Sequence, residues 1–317
     1  MTESDLSRRD FVKAGAAGAA AAALNPHMLA AAKPAGMAER PLGRTGHQVR
    51  LFSLGGQATL EKDGTRDESV AIIDRAIDLG VNYIDTAAAY GRGISQAYIG
   101  EVMATRRKEV YLASKTHDRT YDGSMRLLEE SLRLLQTDHL DTWQIHRLGT
   151  DSELNQLLGP DGALKAVEKA KSEGMVRFAG VTGHTDPVVL THAIERYPFD
   201  TILMALNAAD PHYLPFATEL LPRAVEKKMG IIGMKIPARG RLFREGGLRT
   251  MRQAMHWTLS HPVSTVIVGC NTVAQLEENV AIATEFKALD RQELKRISAL
   301  TESYARNAMW FKRGARG

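Results

Sequence analysis

Cysteine is nearly absent from this chain, with one in 317 residues. A single thiol builds neither an internal disulfide framework nor a Cys-rich zinc or iron–sulfur site. Aromatic residues make up only 6%, and charge is close to balance, with 41 Lys and Arg against 37 Asp and Glu for a net +4. Basic runs such as Arg106-Arg107-Lys108 are short, scattered and free of interleaved aromatics. They read as solvated surface, not as a nucleic-acid groove. Beyond the N-terminal segment no apolar run approaches the ~20 residues that span a bilayer. What is present is 44% hydrophobic residues in a long chain. That is enough for a large buried core and too apolar for disorder.

The chain opens with Ser7-Arg8-Arg9-Asp10-Phe11-Val12-Lys13, followed over 14–24 by Ala, Gly and one Leu. Asn25-Pro26 then breaks any helix, and Ala30-Ala31-Ala32 offers the small residues that a signal peptidase cuts. Paired arginines, a Phe two residues on, a nearby Lys and a weakly apolar core together resemble a twin-arginine export signal. The competing reading is a chance Arg-Arg before an Ala-rich helix. The basic, apolar and cleavage regions follow in the right order, which weighs against it. The resemblance implies a signal peptide over 1–32, a folded domain over 33–317, the Tat translocon as a transient partner and a periplasmic destination. It also implies no stable membrane insertion. A lone Cys270 suits that route, because no disulfide need form after export.

From residue 40 onward the pattern is regular. Gly43-Arg44-Thr45-Gly46 is a turn signal inside a short hairpin over 40–49. A strand–helix alternation follows. Strands are expected over 51–54, 83–86, 110–114, 140–146, 176–182, 201–206, 230–234 and 264–268. Helices are expected over 67–79, 95–106, 124–135, 187–196, 215–228, 248–260 and 272–286, with one more ending at Glu173-Gly174, where Gly supplies a left-handed cap. Met125, Leu128, Leu132 and Leu135 mark one helical stripe. Eight strand–helix units in succession suit a closed (β/α)₈ barrel of the TIM type, with the N-terminal hairpin and an extra C-terminal helix near 290–305. A doubly wound open sheet is the alternative, but Gly55-Gly56 stands alone where that fold needs G-x-G-x-x-G.

In such a barrel, chemistry sits where strands run out into their following loops. The ends of barrel strands two, three and four carry Asp85, Lys115 and His146, and Tyr90 lies in the second loop. Taken singly, each is more often structural than catalytic; four titratable groups on successive strand ends converge. The run Tyr83-Ile84-Asp85-Thr86-Ala87-Ala88-Ala89-Tyr90-Gly91, with Gly100-Glu101 after it, resembles the signature of the aldo-keto reductase family. So do Ser114-Lys115-Thr116, Leu140-Asp141-Thr142-Trp143-Gln144-Ile145-His146 and Gly174-Met175-Val176-Arg177-Phe178-Ala179-Gly180-Val181. The likeness runs from Leu42-Gly43-Arg44-Thr45-Gly46 to Gln275-Leu276-Glu277-Glu278-Asn279.

The resemblance implies an NAD(P)-dependent oxidoreductase that interconverts carbonyls and alcohols, acting on a small-molecule substrate with NADP or NAD as cofactor. By position, Tyr90 is the general acid. Lys115 draws its pKa down from the ordinary value near 10, Asp85 holds Lys115, and His146 orients the carbonyl oxygen. On the cofactor side, Gly269, Asn271, Gln275, Glu278 and Asn279 match the part that holds the adenosine end, at a helix N-terminus suited to anions. Met234 and Lys235 stand where relatives carry Tyr and Ser. Met can still pack against the nicotinamide ring, and Lys235 with Arg239 could meet the pyrophosphate. Thr182-Gly183 replaces the usual Ser-Asn pair at the carboxamide, and Asn207 is the nearest amide to the Leu203 found where Gln is expected. Neutral amides at Asn271 and Gln275, where relatives carry a cation, leave NADP and NAD both open.

Two other readings compete. A metal-dependent hydrolase needs clustered ligands, and the ten histidines include no H-x-H or H-E-x-x-H. His117, His146 and His184 are the nearest approach to such a cluster. The other is a non-catalytic nicotinamide-binding subunit that senses redox state for a partner; intact Asp85, Tyr90, Lys115 and His146 argue against it. In the tail, Trp310 and Phe311 are candidate pocket-lining residues.

Overall fold

The computed structural model describes residues 36–312. The proposed signal peptide lies outside the described residues. Two short antiparallel strands, β1 (Glu39–Pro41) and β2 (Gln48–Arg50), pair Glu39 with Arg50 and Pro41 with Gln48. Eight parallel strands follow: β3 (Phe52–Gly55), β4 (Tyr83–Asp85), β5 (Tyr111–Thr116), β6 (Leu140–Ile145), β7 (Val176–Gly183), β8 (Thr201–Ala205), β9 (Gly230–Met234) and β10 (Thr265–Val268). They close into a barrel in chain order, with β10 pairing back onto β3. The anticipated hairpin and (β/α)₈ barrel are both present.

The helices ring the barrel: α1 (Arg66–Asp78), α2 (Ile94–Arg106), α3 (Tyr121–Leu134), α4 (Asp151–Leu158), α5 (Ala163–Ser172) and α6 (Pro187–Arg196). The second half adds α7 (Phe216–Glu219), α8 (Leu221–Glu226), α9 (Met251–Leu259), α10 (Val273–Thr284), α11 (Arg291–Ala299) and α12 (Ala305–Ala308). Among the described residues none is long and apolar enough to cross a membrane.

Three departures from the sequence reading have local causes. The helix expected over 215–228 divides into α7 and α8, because Pro222 has no N–H to continue the ladder and suits the first turn of a new helix. The C-terminal helix stops at Ala299; Thr301 then turns inward and its hydroxyl donates to Ala208 O at 3.1 Å and Ser298 O at 2.7 Å. Helix α4 was not anticipated, although Thr150 and Glu153 form a reciprocal capping box at its start.

Two apolar layers hold the barrel. The outer one packs helices on strands, with Leu128, Leu164, Leu190 and Leu276 all buried. The inner one fills the barrel with Tyr83, Tyr111, Ala113, Leu203, Ile232 and Ile267, joined by Leu42 and Val49 from the hairpin. The hairpin therefore plugs the N-terminal end. Gly43 there has φ +54°, and a Cβ on it would lie 2.1 Å from Gly230 N, so only glycine fits. Arg44 pins the turn by donating to Pro198 O at 2.9 Å, Phe199 O at 2.7 Å and Lys227 O at 3.1 Å. With that end closed, the loops at the opposite ends of the strands are where a barrel of this type carries its chemistry.

Candidate active site

The end opposite the hairpin gathers the four residues singled out in the sequence. Asp85 is the last residue of β4, Lys115 lies next to the end of β5, and His146 directly follows β6. Tyr90 opens a turn after β4 in which Gly91, Arg92 and Gly93 take φ of +57°, +54° and +95°. A Cβ on Gly91 would meet Glu61 O at 2.3 Å, so that glycine lets the turn sit hard against the loop after β3.

Lys115 is the hub. Its side chain is 1% exposed, and its ammonium donates to the Asp85 carboxylate, to Thr86 O at 2.7 Å and to the Tyr90 hydroxyl at 3.4 Å. Gln144 Nε2 donates to the second Asp85 oxygen at 2.7 Å. The His146 ring stands edge-on to the Tyr90 ring, with centroids 5.7 Å apart and an interplanar angle of 81°.

Burial opposes charge on Lys115, but the carboxylate of Asp85 and the oxygen of Tyr90 outweigh it, so its pKa is raised and the ammonium is kept. Tyr90 corrects an expectation. Burial raises its pKa; Lys115 pulls it down, Asp85 pushes it up again, and the net result is a phenol above its ordinary value. The charge of Lys115 is largely directed at Asp85, which leaves burial dominant at the hydroxyl. Tyr90 is thus fully protonated at neutral pH. His146 is pushed down to about 2, first by burial and then by the charges of Lys115 and Arg147. Its imidazole is neutral and carries one N–H. The Nδ1 atom is buried without a partner among the described residues.

The proposed cofactor residues divide into two groups. On the exit from β9, Lys235 is half-buried at φ +64°, with its ammonium 5.9 Å from the Phe311 ring centroid. Burial, together with Arg239, Arg147 and Lys115, pushes it down to about 8. Met234 packs on the barrel interior, and Arg239, at φ +56°, lies over the Trp310 ring at 5.7 Å. Around the start of α10, Gly269 passes so close to the loop after β3 that a Cβ would meet Gln57 O at 2.9 Å. Asn271 N and Nδ2 both donate to Gln275 Oε1, at 2.7 and 3.3 Å, and Glu278 is exposed.

Three further positions are already engaged inside the protein. The Thr182 hydroxyl accepts from Arg147 N at 2.9 Å. Asn207 Nδ2 donates to Lys235 O at 3.0 Å while its Oδ1 accepts from Ala209 N at 3.0 Å, so the amide braces two loops. Asn279 is buried, with Nδ2 3.5 Å from Cys270 Sγ. Burial pushes that thiol up to about 11.

Residues that sequence reasoning left unassigned also reach the site. Gln144 stands two positions before His146, and alternation along a strand carries both toward the barrel axis; that spacing was the available signal. The His184 ring meets Phe311 edge-on at 5.6 Å and is pushed down to about 3, first by burial. Among the described residues no three His, Cys, Asp or Glu side chains are disposed to hold a metal ion.

The arrangement can supply one proton from a half-buried tyrosine and one hydrogen bond from a neutral imidazole to the same oxygen atom. Beside it, Lys235 and Arg239 make no salt bridge with a carboxylate among the described residues. The two cations lie close enough for Arg239 to act on Lys235.

Comparison with known proteins agrees with the barrel fold. The model of the aldo/keto reductase family matches residues 52–247, and that of the twin-arginine translocation signal matches residues 5–24. L-galactose dehydrogenase of Arabidopsis thaliana is 28% identical over 314 residues, spanning 86% of this chain and 96% of that protein. The holo form of an aldo-keto reductase from Bacillus halodurans superimposes with TM-score 0.71 at 25% identity, over 83% of this chain and 96% of the other. An aldo-keto reductase from Klebsiella pneumoniae in complex with NADPH shares the fold at TM-score 0.70 and 23% identity, over 84% and 96% of the two chains.

Proposed function

Because the chain belongs to the aldo/keto reductase family, we propose that it reduces the carbonyl group of a small aldehyde, ketone or sugar to an alcohol, or runs the reverse. NADP or NAD is the cofactor, and its nicotinamide supplies the hydride when bound. Lys235 and Arg239 would hold the pyrophosphate, Met234 and Thr182 the nicotinamide end, and Gly269, Asn271, Gln275 and Glu278 the adenosine end. Asn207 and Asn279 act from behind, by bracing the loops that carry the others.

The observation that carries this reading is the placement of the Lys115 ammonium between Asp85 and the Tyr90 hydroxyl, beside the His146 ring. As negative charge builds on the carbonyl oxygen, the Tyr90 Oη–H bond breaks and the proton passes to that oxygen. The phenolate left behind receives the hydrogen bond of Lys115, whose charge Asp85 and Gln144 keep in place. His146 remains neutral throughout and only donates, orienting the oxygen.

The test is oxidation of NADPH or NADH by wild type and Tyr90→Phe across a panel of carbonyls. Removing a general acid lowers kcat by about 10²–10⁴-fold. The hydroxyl contributes one long hydrogen bond to the fold, so the variant melts close to wild type. Equal turnover by the two proteins would overturn the assignment. Equal inertness would favour a cofactor-binding subunit. The twin-arginine signal supports export, and we take the periplasm as the site of action.

A further inference from the structure

Beside His146 stands a residue that the proposed reaction leaves without a role. Arg147 has φ +53°, a left-handed conformation that strains a bulky side chain. The strained turn is held from both sides. Arg147 N donates to Thr182 Oγ1 at 2.9 Å, and Arg119 Nη2 donates to His146 O at 2.9 Å and Arg147 O at 3.3 Å. Arg119 is in turn tied to Glu153 at 3.1 Å.

The backbone is locked, yet the guanidinium is exposed and has no hydrogen-bond or carboxylate partner among the described residues. Its charge bears on His146, on His184 after β7 and on Lys235 after β9. Arg147 follows His146 just past the C-terminal end of β6 and is exposed, so its side chain starts from the rim of the barrel mouth. Nearby carboxylates are committed elsewhere: Asp85 to Lys115 and Gln144, Glu153 to Arg119, Asp118 to Thr120, and Asp186 to the start of α6. Glu61 acts from the β3 side, on Tyr90 and Lys235. Lys235 and Arg239 stand on the β9 side, where the dinucleotide reading uses them. Arg147 stands on the β6 side, next to the imidazole that orients the carbonyl.

We propose that Arg147 selects substrates bearing an anionic group, a carboxylate or a phosphate, a short distance from the carbonyl carbon. This rests on the reading of Tyr90 and His146 as donors to the carbonyl oxygen. A guanidinium fits either anion with two parallel N–H bonds, and the locked backbone fixes the point from which this one reaches.

The experiment compares matched substrates: carboxybenzaldehyde against its methyl ester, and glyceraldehyde phosphate against glyceraldehyde. Wild type should prefer the charged member of one pair, and which pair tells carboxylate from phosphate. In Arg147→Met the ratio of kcat/KM, charged over uncharged, should fall about tenfold or more, the loss expected of one charge-assisted contact. Arg147→Lys should recover part of it. Alongside, oxalate and inorganic phosphate are titrated calorimetrically into wild type and Arg147→Met, and the variant should bind the preferred anion at least tenfold more weakly. No charge preference in wild type, a ratio unmoved by Arg147→Met, or equal anion binding by both proteins overturns the proposal. Tyr90→Phe separates the two readings. If it keeps turnover on the uncharged aldehyde, the role of Tyr90 falls, while the anion titrations still decide on Arg147.

Discussion

Replacing Lys312 with Met probes how the tail is fastened over the mouth. Lys312 is fully buried, and its ammonium donates to Asp210 Oδ1 at 2.7 Å, Tyr213 O at 2.9 Å and Leu214 O at 2.8 Å, with the Phe216 ring centroid 4.8 Å away. Met keeps much of the apolar stem but leaves a buried carboxylate and two carbonyls without their donor. Breaking a buried pair from one side costs about 3–5 kcal/mol. Asp210 still accepts from Phe216 N at 3.1 Å and Ala217 N at 2.8 Å, which puts the expected loss near the lower end, ~3 kcal/mol, or ~6–10 °C in Tm. Burial already raises the Asp210 pKa, with Lys312 the main opposing influence. Without Lys312 that carboxyl titrates higher still in the folded state than in the unfolded one. The deficit should therefore shrink as pH falls and Asp210 takes up a proton. Urea melts followed by tryptophan fluorescence, repeated at several pH values, measure this. Adding Asp210→Asn to the variant should cost ~2 kcal/mol less than the two single losses together. A single loss below ~1 kcal/mol, or simple additivity, would refute the idea that a buried ion pair pins the tail. Phe311, which touches His184, is the neighbour through which such loosening would reach substrate KM.

Two further outcomes are expected. With free Lys235 at about 8, its ammonium is present below that pH and lost above it, and a bound pyrophosphate would raise its pKa. The Kd for NADPH, read by fluorescence titration, should be flat below about pH 7 and rise by up to about tenfold per unit above about pH 8, whereas Lys235→Met should be weak throughout and lack that rise. If the barrel is exported folded with its cofactor in place, protein purified from the periplasm and denatured should release a nicotinamide nucleotide detectable by mass spectrometry; a protein containing none would refute that.

Asp85, Lys115 and His146 were legible because strand ends are local features: a few apolar residues fix the strand, and the barrel then aims whatever stands at its end. Tyr90 was legible through its motif. The hairpin was legible too, since its turn needs the positive φ that Gly43 supplies. What escaped were properties set by contacts distant in the chain. Nothing near Asn207 in sequence shows that its amide is taken by Lys235 O, nor near Asn279 that it faces Cys270. Both look like free polar side chains until the loops are folded. The anchoring of Lys312 on Asp210 joins residues about a hundred positions apart, beyond any periodicity argument.

Tyr90 shows the same limit in its chemistry. Its partner, Lys115, is readable from the pattern of strand ends; the burial that outweighs that partner is not. The sign matters for direction. A phenol held above its ordinary pKa is loaded with the proton that reduction consumes, whereas alcohol oxidation requires a phenolate or another base to receive one. On the proposed mechanism, alcohol oxidation should therefore gain rate relative to carbonyl reduction as pH rises.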